Sequence, residues 1–315
     1  MILLLLGLLL YLPYRLQSRE TSVLDAVTRQ QLGGSYLQLP QGVVHYQLAG
    51  KADAPVVVLV HGFSVPAYLW DRTVVPLQQA GYRVLRFDLF GRGLSDRPDI
   101  DYAINDYVRQ LQEVLTALDV QQPFSIVGMS MGGAVVTRFT HQNPGLIDRV
   151  VLLDPLVKMP DRPEAKLLSI PVLAEFASKA LVVPKIENGL PDLVLDPATF
   201  PDWSEKFALQ KSFEGYAHAI SKTVVQLNAE NFLNDYTQLG NLNKDVLLIW
   251  GREDKVTPLA DSEVLKTLLP NVEFHLIENA GHVPHYEKPE QVNPLLRQFL
   301  QGTQTSAPIS TIEQP

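Results

Sequence analysis

Pro123-Phe124-Ser125-Ile126-Val127-Gly128-Met129-Ser130-Met131-Gly132-Gly133 is the stretch from which the fold is read. Phe124 to Val127 is a short apolar run that reads as a buried strand. The next five residues form G-x-S-x-G, and a helical pattern, A-V-V-T-R-F-T-H, then runs to Asn143-Pro144. Strand, G-x-S-x-G and helix in that order describe a nucleophile elbow. The tight turn forces Ser130 into a strained backbone conformation and lifts its hydroxyl above the sheet edge. The glycines allow strand and helix to approach closely. The helix N-terminus supplies unpaired N–H groups and a positive dipole end for a developing anion. The competing reading is a Gly/Ser-rich turn without chemistry; the two correct flanks favour the elbow.

Outward from the elbow, strands and helices alternate. Tyr36 to Leu39 and Val43 to Ala49 read as an edge hairpin across Pro40-Gln41-Gly42, preceded by a polar connector over 18–34. Pro55-V-V-V-L-V, ending at Val60, is a β-branched run suited to a strand covered on both faces. It leads into His61-Gly62-Phe63-Ser64. A helical segment around Val74 to Ala80, a strand from Tyr82 to Phe87 and the loop Asp88 to Asp96 come next. Asn105 to Leu118 reads as an amphipathic helix capped by Asn105 or Asp106. After the elbow, Ile147 to Leu153, Val246 to Trp250 and Val272 to Ile277 read as strands, and Val292 to Leu300 as the last helix. Thr257-Pro258 reads as a helix start. This rhythm predicts an α/β fold with a mostly parallel, doubly wound sheet and right-handed crossovers.

Between Pro155 and about Tyr236 the rhythm stops. Prolines at 155, 160, 163, 171, 184, 191, 197 and 201 alternate with short helical patches, and aromatics recur from Phe176 to Tyr216. The expectation is a helical cap over 155–237, lying across the C-terminal sheet edge where open α/β sheets place ligands. The alternative is a helical appendage with its own small core. The core is then 35–154 and 238–301, with a polar, disordered tail over 302–315.

The chain has 315 residues, 46% hydrophobic and 19% charged, which suits one large core with an insertion. A formal charge of -8 without basic clusters argues against nucleic acid as a partner. With no cysteine, a thiolate nucleophile, a disulfide framework and a Cys-ligated metal are all excluded. Residues 1–17 stand apart: Met1 to Tyr14 is Leu-rich and uncharged in its side chains, with Arg15 and Arg19 behind it. A spanning helix needs about 20 apolar residues, and this run is shorter. It lacks a basic start and a small-residue cleavage site. The expectation is a membrane anchor or an export signal, hence membrane association through this segment. As an anchor, its trailing arginines would favour a cytoplasmic enzyme domain, on a weak two-charge vote.

A serine hydroxyl needs a base, and an imidazole base needs a carboxylate to fix its tautomer. In this architecture the acid and then the histidine follow the serine, each in a loop after a late strand. Asp254 occupies the first loop, favoured over adjacent Glu253 by its G-x-x-D spacing. His282, directly after Gly281, is favoured over His285, which reads as a partly exposed packing residue. Phe63 and Met131 are the expected backbone oxyanion donors. Asp154 sits where an acid can also reach the histidine, but capping the exit of its strand is the favoured role. Asp88, Gly91 and Gly93 read as turn-shaping, with Arg92 and Asp96 as an ion pair. His45, His141, His218 and His275 read as structural. No metal and no cofactor is implied.

H-G-F-S at 61, D-L-F-G-R-G-L-S-D at 88, G-M-S-M-G-G at 128, G-R-E-D-K-V-T-P at 251 and G-H-V-P-H-Y-E-K-P at 281 together resemble the α/β-hydrolase superfamily. The resemblance covers most of 35–300 outside the insertion. It is similar to the branch holding carboxylesterases, monoacylglycerol-type lipases and meta-cleavage-product C–C hydrolases. A serine nucleophile sets it apart from the aspartate-using epoxide hydrolases and haloalkane dehalogenases. C–C hydrolases of this kind usually carry Asn before the nucleophile and Trp after the catalytic histidine, where this chain has Met129 and Val283. Many esterases carry His before the serine, so Met129 does not single out an esterase. The resemblance implies a serine hydrolase acting on a small-molecule acyl ester. The alternatives are a C–C hydrolase and a non-catalytic ligand-binding relative. Oligomeric state is not encoded in any of these motifs.

Overall fold

The computed structural model describes residues 20–159, 168, 170, 174, 176–200 and 202–302. The expected N-terminal segment over 1–17 lies outside the described residues, as does all of the expected tail beyond Gly302. Eight strands form one sheet: β1 (Ser35–Leu39), β2 (Gly42–Ala49), β3 (Val56–Val60), β4 (Arg83–Phe87), β5 (Phe124–Met129), β6 (Ile147–Leu153), β7 (Asp245–Gly251) and β8 (Glu273–Ile277). Their order is β1-β2-β4-β3-β5-β6-β7-β8. The β1–β2 hairpin is antiparallel and β2 joins β4 antiparallel, whereas every pair from β4 to β8 is parallel. This is the predicted doubly wound sheet with its hairpin at one edge.

Period-two side-chain alternation divides each central strand between two cores. Val58 and Val60 of β3 join Ile126, Val150, Leu152 and Leu248 beneath helices Ile104–Ala117 and Met131–Gln142. Val57 and Leu59 join Val127, Val151, Leu247 and Ile249 on the opposite face, under helices Asp71–Gln79 and Pro289–Leu300. All five residues of β3 are buried, as its β-branched run requires. The order reverses around β3, which has β4 on one side and β5 on the other. The loops after β3 and β5 therefore diverge, and a crevice opens at their C-terminal ends.

Three local expectations are corrected. The connector over 18–34 contains a helix, Ala26–Leu32, because Asp25 accepts from the Thr28 N–H at 2.8 Å and Gly33 closes the far end with φ 71°. The helix after Asp96 starts at Ile104, and its cap is Ala103. Asp106 reaches back to accept from the Ala103 N–H at 3.0 Å, so it works from inside the first turn. Thr257-Pro258 does not start a helix, since the next one runs Ala260–Leu268. The Thr257 hydroxyl is used elsewhere.

Between β6 and β7 the described residues are largely helical, including Val183–Gly189, Trp203–Ser212, Tyr216–Ala229 and Phe232–Gly240. Phe200, Trp203 and Tyr286 pack ring to ring, with the Arg72 guanidinium over both Phe200 and Tyr286. This cluster joins the segment to helices of the sheet. Helix Phe232–Gly240 belongs with the sheet layer: its Asp235 accepts from Arg138 Nη2 at 2.7 Å on helix Met131–Gln142. The expected boundary at residue 237 therefore falls inside a helix.

Candidate active site

Ser130 occupies the turn between β5 and helix Met131–Gln142 with φ 54° and ψ -122°. That is a sparsely populated region for a residue with a side chain, and the surroundings enforce it. The Ser130 N–H donates to Leu153 O, and its carbonyl accepts from the N–H groups of Gly133 and Leu156. Both backbone groups of the serine are thus tied to the chain leaving β6. Glycine is required on each side: a Cβ at Gly128 would stand 2.4 Å from Gly132 O, and one at Gly132 would stand 2.3 Å from Val60 O. At Gly133 the missing Cβ leaves room for the Pro155 ring, 2.6 Å from where it would sit.

Asp254 and His282 meet as the motif spacing predicts. His282 Nδ1 lies 2.7 Å from Asp254 Oδ2. The same oxygen accepts from the Thr257 hydroxyl at 2.5 Å, while Oδ1 accepts from the N–H groups of Val256 and Thr257 at 2.6 and 3.0 Å. Burial alone would raise the Asp254 carboxyl, but the His282 charge and these donors outweigh it and hold it below the usual value. The neighbouring acid, Glu253, is turned away and accepts from the Ala280 N–H at 3.0 Å. Thr257 was missed in the motif because a Thr-Pro pair also signals a helix start; its place three residues after an acid is the signal that could have found it.

The loop carrying His282 is fixed from the segment between β6 and β7. The His282 N–H donates to Leu193 O at 2.9 Å. Glu287 accepts from Gly281 N–H through one oxygen and from Leu195 N–H through the other. His285 corrects an expectation: it is fully buried, not partly exposed, with its ring 4.5 Å from that of Trp70. Burial depresses its pKa to about 3.

Phe63 and Met131 lie beside Ser130 in the loop after β3 and at the first position of the elbow helix. Neither N–H has an acceptor among the described residues. Two side chains fix the Phe63 loop. His61 donates from Nδ1 to Gly62 O at 2.8 Å and accepts Leu89 N–H at Nε2, which fits a neutral ring; burial lowers its pKa to about 4. Arg92 donates from Nε to Phe63 O at 2.9 Å. The expected Arg92–Asp96 pair does not form. Arg92 is buried among neutral oxygens of Phe63, Phe90, Tyr107 and Thr223, whereas Asp96 pairs with Arg29. Asp88 shapes its turn as expected, accepting from Ala67 and Leu94 N–H groups and from His45.

A cavity of about 520 Å³ joins these parts, with Ser130, His282 and Phe63 in its wall. Leu69, Met129, Leu190, Val224 and Val283 make much of the remainder apolar, and Lys185, Asn188, Asp192 and Lys255 supply polar groups. Ser130 Oγ makes no hydrogen bond to His282 among the described residues. Such links are often long before substrate arrives. Asp154, expected to cap a strand exit, instead points inward: it is fully buried, and one carboxylate oxygen accepts from Gly251 N–H at 2.8 Å. Oxygens of Asp154 and Asp254 and a ring nitrogen of His282 lie within 4.8 Å of one another. Two ligands of one tetrahedral zinc ion, each bonded at about 2 Å, stand about 3.3 Å apart, whereas His282 Nδ1 and Asp254 Oδ2 are at the hydrogen-bond distance of 2.7 Å.

Comparison with known proteins agrees with this architecture. The family profile described as the alpha/beta hydrolase fold matches residues 55–289. A 2-hydroxy-6-oxononadienedioate/2-hydroxy-6-oxononatrienedioate hydrolase of Paraburkholderia xenovorans is 26% identical, covering 89% of this chain and 99% of its own length. An esterase from Exiguobacterium antarcticum superposes with a TM-score of 0.71 at 17% identity, covering 85% of this chain and all of its own. A membrane phospholipase A, described as a bacterial virulence factor, superposes with a TM-score of 0.71 at 22% identity, covering 97% of this chain and 96% of its own. With its profile match spanning most of the chain, this protein belongs to the alpha/beta hydrolase fold family.

Proposed function

We propose that this protein is a serine hydrolase that cleaves a carboxylic ester through an acyl-enzyme. The observation that carries the reading is the 2.7 Å pairing of Asp254 with Nδ1 of His282, whose ring lines the same cavity as a serine on a strained turn. Asp254 holds the His282 ring with Nδ1 protonated, which leaves Nε2 free as a base. Nε2 takes the Ser130 proton as Oγ attacks the ester carbonyl carbon. The negative charge on the carbonyl oxygen is met by the free N–H groups of Phe63 and Met131. The imidazolium then gives its proton to the departing alkoxy oxygen, and the alcohol leaves. Water, deprotonated by the same nitrogen, attacks the acyl carbon, and as the C–Oγ bond breaks that proton passes to Ser130 Oγ, releasing the carboxylic acid and the free serine.

The apolar wall suits an acyl group of moderate length. The segment between β6 and helix Phe232–Gly240 acts as its cap, supplying Leu190 and Val224 to the wall and a carbonyl to the His282 backbone. Membrane association through residues 1–17 fits such a substrate, and the superposable membrane phospholipase A is a second support. Separately, no helix among the described residues is long and apolar enough to cross a membrane. A second reading, C–C bond hydrolysis, is favoured by the Paraburkholderia relative. Met129 and Val283 count against it.

Esters of increasing acyl length, offered to wild type and Ser130→Ala, test the reading. Serine-dependent cleavage with a chain-length optimum supports it. Cleavage of a vinylogous diketone alone would replace it with the second reading. A folded protein whose Ser130 takes no fluorophosphonate label would be a binding relative instead.

A further inference from the structure

We propose that the acid behind His282 is a pair of carboxyls, Asp154 and Asp254, that share one negative charge, with Asp154 as the proton-holding positioning residue. The inference rests on the hydrolase reading above.

The geometry starts with an oxygen that has nothing to bind. Asp154 is fully buried, and one of its oxygens accepts from Gly251 N–H, but Oδ2 has no hydrogen-bond partner. A carboxylate oxygen left dry and unpaired is costly. The groups around it do not relieve that cost. Asp254 faces it from the loop after β7, His282 from the loop after β8, and Glu287 contributes further negative charge from helix Pro284–Glu287. Two carboxylates this close in a buried site do not both ionise.

Which of the two keeps the proton follows from the donors. Asp254 accepts from Val256 N–H, Thr257 N–H, Thr257 Oγ1 and His282 Nδ1. Asp154 accepts from one. The charge therefore rests on Asp254, and the proton on Asp154 gives its orphan oxygen a hydrogen to direct at Asp254. Burial, then the Asp254 charge, push the Asp154 carboxyl well above the usual carboxylate range, in the same sense.

The backbone holds Asp154 in place for this. It has φ 41°, its N–H donates to Ile249 O at 3.0 Å, and its carbonyl accepts from Thr257 Oγ1 at 3.3 Å. Its side chain is thus fixed within reach of the ring nitrogen that Asp254 now binds. If Asp254 is removed, its like charge no longer adds to burial in keeping Asp154 protonated, and the His282 ring loses its acceptor. Asp154 can then ionise and orient His282 itself, its proton passing to solvent.

A double-mutant cycle read by kcat tests this, using a chromogenic ester and, independently, the rate of fluorophosphonate labelling at Ser130. Asp154→Asn keeps the acceptor for Gly251 and offers an N–H in place of the O–H, so it costs about fivefold alone. Asp254→Ala loses about a hundredfold. Asp254→Ala with Asp154→Asn falls by about 10⁴-fold, the loss expected when no acid orients the histidine. Equal factors for Asp154→Asn in both backgrounds would overturn the proposal. Infrared spectra give a readout that does not require active variants: wild type should show the carbonyl stretch of a buried protonated carboxylic acid, lost in Asp154→Asn. Spectra without that difference would also overturn it. If wild-type Ser130 fails to label at all, the hydrolase reading falls, while the infrared band still decides where the proton sits.

Discussion

Leu193 offers its carbonyl to the backbone N–H of His282 at 2.9 Å, so the segment between β6 and β7 is bonded directly to the residue proposed as base. Glu287 strengthens the same junction by holding Gly281 and Leu195 at once. Glu287→Ala should therefore free the histidine loop as well as the cap. We expect kcat/KM to fall by about 10- to 100-fold through misplacement of the base, with a stability loss of about 1–3 kcal/mol. Steady-state kinetics and thermal melts check this together. A lower melting temperature with unchanged kinetics would mean that the carboxylate serves only as a brace.

Ser130 should show a conflict between stability and activity. Its φ of 54° suits glycine better than any residue with a Cβ. Ser130→Gly is expected to unfold at a higher denaturant concentration than wild type, by about 1 kcal/mol. Both Ser130→Gly and Ser130→Ala should lose about 10⁴-fold or more in kcat. Denaturant titration beside ester turnover tests the pair, and a destabilised glycine variant would show that the turn is not strained.

Acid sensitivity should come from two buried histidines. His61 and His285 are held neutral by burial, at about 4 and about 3, below the ordinary histidine value of 6.5. A base with a depressed folded pKa contributes stability that is complete above 6.5. That stability is lost as pH falls towards the folded values, because the unfolded chain takes up the proton first. Each histidine adds a slope of about 1.4 kcal/mol per pH unit in that window. His285→Phe, which keeps a ring against Trp70, should lower the slope between pH 6 and 5 by about 1.4 kcal/mol per pH unit in urea titrations. An unaltered slope would exclude His285 as a cause.

Two glycines separate packing from composition. Gly132→Ala places a methyl 2.3 Å from Val60 O and 2.5 Å from His61 O, which are backbone atoms of β3 and its loop. It should cost at least about 3 kcal/mol or prevent folding. Gly145→Ala meets nothing within 4 Å and should melt close to wild type. Soluble yield and circular-dichroism melts distinguish them.

The strand–elbow–helix reading could be made early because local signals agreed: a β-branched run, a glycine-flanked serine and a helical period all point to one turn. Asp254 and His282 were legible for a related reason, since each follows a clear strand in chain order. The failures have different causes. Asp154 reads as a strand end because its partners are remote in sequence, whereas Thr257 reads as a cap because a Thr-Pro pair carries that signal too, although its partner Asp254 is only three residues away. Arg92 and Asp96 are four residues apart, yet a buried turn sends one towards Thr223 and the other towards Arg29. His285 reads as partly exposed from its place near the start of the last helix, while its environment is set by Trp70, over 200 positions earlier. Side-chain partners across that distance leave no periodic trace.

Pro155 occupies the space left by the absent Cβ of Gly133, and Ser130 bonds through its backbone to Leu153 and Leu156 on either side of that proline. The chain thus departs from the sheet on a bearing set by the peptide groups of Ser130, the residue proposed as nucleophile. Whatever sequence follows Pro155 starts from the same origin and heading. The segment beyond can therefore change without moving Ser130, provided that it still brings Leu193 and Leu195 back to the His282 loop.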